Sequence, residues 1–266
     1  MGQPAVTSIP FAFGDKRPRP YVVSPAIAER PTNTDFSHIL RRRAASVQHF
    51  EAFSDLSMAD CTALIAGAQE RQFGRRHTVF LEGDPVRHVV LLLSGSLKVT
   101  QLGTNGQEVI LRLTGPGDVL GRVGRQENAE HFSSAQALQP SSALVWETQR
   151  FEAFLERLPI LRRNMTLLLE RHLNELEIRF REVSTERVAP RLSSLLVRLL
   201  GQVGRRADSH VEIALSRREL AQLTGTTLFT VSRLLCQWEA QGIVSARRET
   251  VLVHNVPRLQ ELSREE

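Results

Sequence analysis

The chain lacks several residue types and motifs, and each shortage excludes a class of function. Only two cysteines occur among 266 residues, Cys61 and Cys236, far apart and in no paired motif. A disulfide framework and a zinc ribbon both need cysteines at regular short spacing, so neither fits. No apolar run approaches the ~20 residues needed to span a bilayer. The N-terminus also lacks the charged-then-apolar order of a secretion signal, so a cytoplasmic chain with no membrane partner is expected. No Gly-x-Ser-x-Gly elbow, P-loop or paired metal-ligand motif is present, and an enzyme is not expected. His77, His88 and His131 share no i, i+4 spacing and read as scattered surface residues, not metal ligands. Lysine is scarce as well. Lys16 and Lys98 are the only two among 34 basic residues, so the formal net charge of +5 is carried by arginine. Arginine suits bidentate phosphate contact, although composition alone shows nothing of the kind.

What is present is organised around residues 215–244, which read as a helix-turn-helix. Ser216 and Glu219 form a capping box that opens a helix. Ala221, Gly225, Val231 and Leu234 follow at steps of four, six and three. A small residue at 221 lets two helices cross closely, and Gly225 suits a turn with positive φ. Val231, Leu234, Leu235 and Trp238 give the second helix an apolar stripe. Thr227, Phe229, Thr230, Ser232 and Arg233 fall on its other face as candidates for base contact. An ordinary helical hairpin shows much of this pattern. The continuation separates the two readings: Gly242 is a stop signal, and 243–253 reads as two short strands with a basic tip, a wing. Ser216, Arg217 and Arg218 on one side, and Arg247 and Arg248 on the other, are candidates for phosphate contact.

Upstream, residues 1–43 carry six prolines and show no period. They read as a basic tail, either a disordered leader, the reading preferred, or an arm that brushes DNA. Residues 44–68 turn helical, with Ser57 as an N-cap and Cys61 packed inside. Between Arg71 and Glu147 short strands alternate with glycine turns, including an Asn105-Gly106 hairpin signal. This is the grammar of a β-roll or jelly roll. The helical period returns at Arg150. Leu161, Met165, Leu168, His172, Leu176, Phe180 and Val183 make one seam, read as a dimer coiled coil in preference to packing on the chain's own β-roll. Residues 184–190 form a hinge, after which Pro190 sits in an early helical turn. Residues 204–209 read as a polar loop. The expected class is α+β, in five parts: a tail (1–43), a sensor β-roll (44–156), a long dimerisation helix (157–183), a winged helix-turn-helix (184–257) and a C-terminal tail (258–266).

This order resembles the Crp/Fnr family of bacterial transcription regulators over about residues 44–257. The residues that carry the resemblance are Glu82-Gly83-Asp84, Gly95-Ser96, Gly117-Asp118, Gly121 and Thr230-Val231-Ser232-Arg233. The resemblance implies a homodimer that binds palindromic double-stranded DNA and contacts RNA polymerase, with Arg233 bidentate on a guanine and Ser232 on a neighbouring base or phosphate. One departure stands out. The family usually has Glu three residues before that Ser, where it accepts from cytosine, and here the residue is Phe229.

The sensor half departs further. Members that bind cyclic AMP carry a Glu just after the Gly of the turn and an Arg-Ser pair some ten residues on. Here Arg122 follows Gly121, and Phe132 precedes Ser133. No Lys or Arg occurs between Arg125 and Arg150, and an enclosed phosphate needs a cation, which only Arg122 or Arg125 could supply, from an unusual side. Cyclic AMP is therefore not expected. Iron–sulfur members need four cysteines, and a haem-binding member places Cys and His after Gly-Asp, so neither cofactor is expected either. A small apolar effector near Arg122, Phe132 and Ser133 remains, or none at all.

Overall fold

The computed structural model describes residues 33–121, 129–207 and 209–264. Lys16, Arg17, Arg19, Arg122 and Arg125 lie outside the described residues. The N-terminal half is built on eight described strands: β1 (Gln69–Phe73), β2 (Thr78–Phe80), β3 (His88–Ser94), β4 (Leu97–Leu102), β5 (Glu108–Thr114), β6 (Val119–Leu120), β7 (Ser134–Ala137) and β8 (Ser141–Glu147). They form two antiparallel four-stranded sheets, ordered β1-β8-β3-β6 and β2-β7-β4-β5. Alternation directs Leu92, Leu97, Val99, Ala135 and Ala143 into the interior of the roll. The β4–β5 hairpin turns at Asn105-Gly106, as its sequence indicates, with Gly106 at φ 75°. Strand β1 was not foreseen. Four of its five residues are exposed, so it carries no hydrophobic alternation to read, and its pairing with β8 makes it a strand.

Helices cover the outer face of the first sheet. They are α1 (Asn33–Val47), α2 (Met58–Ala66), α3 (Thr148–Arg157) and the 27-residue α4 (Pro159–Thr185). Helix α1 corrects the expected tail boundary at 43. Its C-terminal end is fixed because Ala44 and Val47 are buried in the cluster that holds Leu64 and Trp146. Ser57 accepts from the Asp60 amide and starts α2 as expected. Trp146 Nε1 donates to Leu64 O at 2.8 Å, so a sheet tryptophan pins α2. The helical period that returns at Arg150 is interrupted at Leu158 (φ −118°, ψ 89°), which separates α3 from the long helix expected over 157–183. Pro159 opens α4 and excludes the residue before it from helical geometry.

The proposed seam on α4 splits in two. Leu161, Met165 and Leu168 are 1%, 8% and 2% exposed, buried against their own chain with Phe53, Val89 and Trp146. These three positions are corrected: they are spent on intrachain packing and offer nothing to a second subunit. His172 is corrected with them. It lies 2.7 Å from Arg112 Nη1 and 3.6 Å from Asp118. The exposed stripe shifts by one position in its first half, to Leu169 and Leu173, and keeps the expected Leu176, Phe180 and Val183 in its second.

The C-terminal half comprises α5 (Val188–Gln202), β9 (Arg205–Ala207), β10 (His210–Ile213), α6 (Arg217–Thr224), α7 (Leu228–Ala240), β11 (Val244–Ala246), β12 (Val251–Val253) and α8 (Val256–Leu262). The segment read as a polar loop instead forms strand β9 and pairs with β10, completing a sheet ordered β11-β12-β10-β9. Helix α8 begins before the expected tail, capped by Asn255 and anchored by fully buried Leu259. This half shares a core with the roll: Ile110, Leu113 and Leu138 pack with Leu195, Leu199 and Leu223. Arg179 of α4 locks the junction, donating to the carbonyls of Leu111, Ile110 and Leu223. Because Leu168 is buried within one chain, Leu168→Ala is expected to lower unfolding free energy by about 2–5 kcal/mol, read from urea denaturation. A loss below about 1 kcal/mol would place Leu168 outside the core.

Candidate nucleic-acid interface

Helix α6 begins with the capping box seen in the sequence. Ser216 Oγ accepts from Glu219 N at 3.2 Å, and Glu219 Oε2 accepts from Ser216 N at 2.7 Å. The helix ends at Gly225 (φ 60°, ψ 41°), a left-handed cap that an L side chain adopts only with strain. Thr227 then caps α7 by accepting from Thr230 N. Val231 and Leu235 are fully buried, and Leu234 and Trp238 nearly so. They seat α7 against Leu220, Ala221 and Leu223 of α6. With one stripe buried, helical geometry turns the opposite face outward. Arg233, Phe229 and Thr227 are exposed, and Ser232 and Thr230 half-buried. Phe229 is 76% exposed and Leu228 52%, an apolar pair at the open end of an otherwise polar face.

The flanking residues sort less evenly. Arg218, at the start of α6, and Arg247 and Arg248, between β11 and β12, are exposed. Arg217 is corrected: its guanidinium turns inward and donates to Ala246 O at 2.9 Å, tying α6 to the wing. The Ser216 hydroxyl is also occupied, because it donates to Glu219 Oε2 at 2.8 Å while capping α6. Thr227 shares its hydroxyl with Thr230 at 3.0 Å. The wing is the β11–β12 hairpin, closed by Arg247 N to Thr250 O at 2.8 Å.

Residues 70–158 match the family described as cyclic nucleotide-binding domain, and residues 190–262 match the Crp-like helix-turn-helix domain. The chain is 30% identical over 193 residues to the transcriptional regulatory protein btr of Bordetella pertussis, covering 71% of this chain and 78% of that one. It is 28% identical over 211 residues to the cyclic AMP receptor protein of Thermus thermophilus, covering 79% and 95%. The chain belongs to the Crp/Fnr family. It is therefore a transcription regulator with a helix-turn-helix DNA-binding domain. The solved structure of FixK2 from Bradyrhizobium japonicum shares the fold, at 22% identity and a TM-score of 0.64, covering 75% of this chain and 98% of that one.

In this Crp/Fnr chain a cavity of about 340 Å³ lies where roll, α4 and winged domain meet. Val99, Leu111, Ser133, Leu173 and Leu176 line much of it. Ser133 is thus placed in the cavity, and Phe132 is 66% exposed beside it, with its carbonyl accepting from Gln101. Two arginines border the space, Arg112 and Arg179, and both are engaged within the chain. Behind them Asp118 is held below the usual carboxylate range. Burial pushes its pKa up, but hydrogen bonds from His172 and the Gly115 amide, with the charge of Arg171, outweigh burial. Among the described residues no group of three or more His, Cys, Asp or Glu side chains is arranged to hold a metal ion, and His131 is corrected from the surface, being 6% exposed and stacked on Phe80 at 3.8 Å. No helix of the described residues is long and apolar enough to cross a membrane.

Sequence reading missed a latch on the wing. Glu249 pairs with Arg75 at 2.5 Å and Arg76 at 2.7 Å, both in the β1–β2 turn of the roll. Nothing local marks these residues as partners, because 173 positions separate Arg76 from Glu249. The Arg75 hydrogen bond, followed by the charges of Arg75, Arg76 and Arg248, holds the Glu249 carboxyl below its ordinary value of 4.5. A depressed folded pKa means the pair stabilises fully above the ordinary value and weakens as pH falls through the folded one. The gap in urea midpoint between the wild type and Glu249→Gln is expected to be largest at neutral pH and low salt, and to close as the solution is acidified. A gap independent of pH would show that the carboxylate charge does not hold the wing.

Proposed function

We propose that the chain acts as a homodimer in which two copies of α7 enter successive major grooves of a palindromic promoter site. The observation that carries this reading is the exposed Arg233, one turn from Phe229 on a face that the helix's own packing leaves open. A guanidinium there forks onto the O6 and N7 of guanine. Arg218, Arg247 and Arg248 supply phosphate contacts that fix register without reading sequence. The dimer seam is the exposed stripe Leu169, Leu173, Leu176, Phe180 and Val183, spaced by four, three, four and three residues as in a coiled coil. RNA polymerase is the partner that a promoter-bound regulator of this family meets.

For the sensor cavity we propose an apolar effector. Its lining is dominated by leucine, with Val99 beside them, and in sequence Phe132 stands where cyclic-AMP-binding members carry the arginine that grips the phosphate. Arg112 and Arg179 would have to abandon existing bonds to hold a phosphate. Among the described residues this donor set suits neither cyclic AMP, nor an iron–sulfur cluster, nor haem. The cavity wall includes α4 and Leu223 of α6, so occupancy bears on both the seam and the reader.

Selection from random duplexes by the purified protein is expected to return an inverted repeat with one guanine per half-site set by Arg233. Arg233→Ala should then lose about 1–3 kcal/mol of discrimination at that base pair and little elsewhere. A uniform loss across all positions would make Arg233 a phosphate contact. Phe180→Glu together with Leu173→Glu should yield monomers by light scattering with the fold intact. A persistent dimer would move the interface off this stripe.

A further inference from the structure

We infer that Phe229 reads a thymine through its 5-methyl group, and that this contact lies about two base pairs from the guanine read by Arg233. This deepens the DNA-reading proposal and rests on it.

Phe229 is the second residue of α7, directly after the Thr227 cap and Leu228. Residues at the start of a reader helix are those that reach base edges. The ring is 76% exposed, although apolar contacts are available a turn away in the core formed by Val231, Leu234 and Leu235. Helical phase explains the exposure. Phe229 and Arg233 are four residues apart and share a face, while the buried stripe occupies the other side. The ring is therefore held on the reading surface by the same packing that presents Arg233.

A phenyl ring neither donates nor accepts a conventional hydrogen bond, so it gains nothing from the N7, O6, N4 or N6 groups on the groove floor. It also strips water from those groups without replacing the lost bonds. The apolar group that the major groove displays is the thymine methyl. Leu228, 52% exposed beside it, widens the apolar surface and further disfavours a polar base edge. Four residues of helix advance by about 6 Å, close to two base-pair steps of 3.4 Å, and this sets the interval between the two contacts.

The test uses full-length protein and a short duplex carrying the palindrome it selects. Deoxyuridine replaces each thymine in turn, and 5-methylcytosine replaces cytosine in a variant site with cytosine at the contacted position. For wild type, loss of the methyl at one thymine per half-site, about two base pairs from the Arg233-dependent guanine, is expected to weaken binding about fourfold, the effect of burying one such group. Adding the methyl to cytosine should recover part of the loss. Phe229→Ala should bind thymine and deoxyuridine equally at that position, and Phe229→Leu should keep a reduced preference. Phe229→Glu should shift the preference to cytosine, whose N4 amine a carboxylate accepts. Equal binding of thymine and deoxyuridine by wild type, with the Arg233-dependent guanine retained, would overturn the inference and leave the DNA-reading proposal standing. An Arg233→Ala protein with unchanged base preferences would sink both. A methyl dependence that survives in Phe229→Ala would assign the contact to another residue.

Discussion

Everything outward-facing in the reader follows from the burial of one helical stripe. Val231, Leu234, Leu235 and Trp238 are driven into the core by the hydrophobic effect, which is indifferent to what they leave outside. Helical geometry then fixes the orientation of Phe229, Ser232 and Arg233. The caps at Thr227 and Gly225 set where α7 begins and how α6 stops, and so set the level at which the first turn protrudes. A DNA-reading surface is in this sense the remainder left by a packing solution.

Arginine gives this molecule its net charge, and much of it is used inside. Arg179 holds three carbonyls at the meeting of β5, α4 and α6. Arg191, 6% exposed, donates to the carbonyls of Glu182, Val183 and Glu186 and closes the C-terminal end of α4. Arg198 grips Glu182 through both oxygens at 2.5 and 2.8 Å, and Arg217 joins α6 to the wing. A guanidinium presents five donors in a fixed fork and suits this work better than lysine. These contacts brace the segment between α4 and α5 and join the winged domain to the roll. The cavity lined by roll, α4 and winged domain opens at the same junction.

Local chemistry was legible in the sequence where it acts within a few residues. The Ser216–Glu219 box, the Gly225 cap, the Asn105-Gly106 turn and the stripe on α7 all formed as read, because each depends on neighbours inside one or two turns. Long-range placement was not legible. The α4 periodicity was real, but a period states that a face is apolar and not what covers it. The roll took Leu161, Met165 and Leu168, leaving exposed the second half of the seam, Leu176, Phe180 and Val183, continued by Leu169 and Leu173. Strand β9 is built from exposed arginines and exists because β10 pairs with it. Arg217 resembled a phosphate contact in sequence, yet its guanidinium donates to the wing carbonyl of Ala246. Family resemblance located the reader, whereas the separation of internal arginines such as Arg179 and Arg217 from exposed ones such as Arg233 depends on the tertiary fold.

The most direct measurement is methylation interference on the selected site. Methylating guanine N7 blocks the major-groove acceptor and leaves the minor groove otherwise intact. A dimer presenting Arg233 twice should be blocked by a methyl at one guanine in each half-site, the two about one helical turn apart on the duplex. Binding that tolerates every N7 methyl but fails on minor-groove adenine N3 methylation would contradict a reader seated in the major groove.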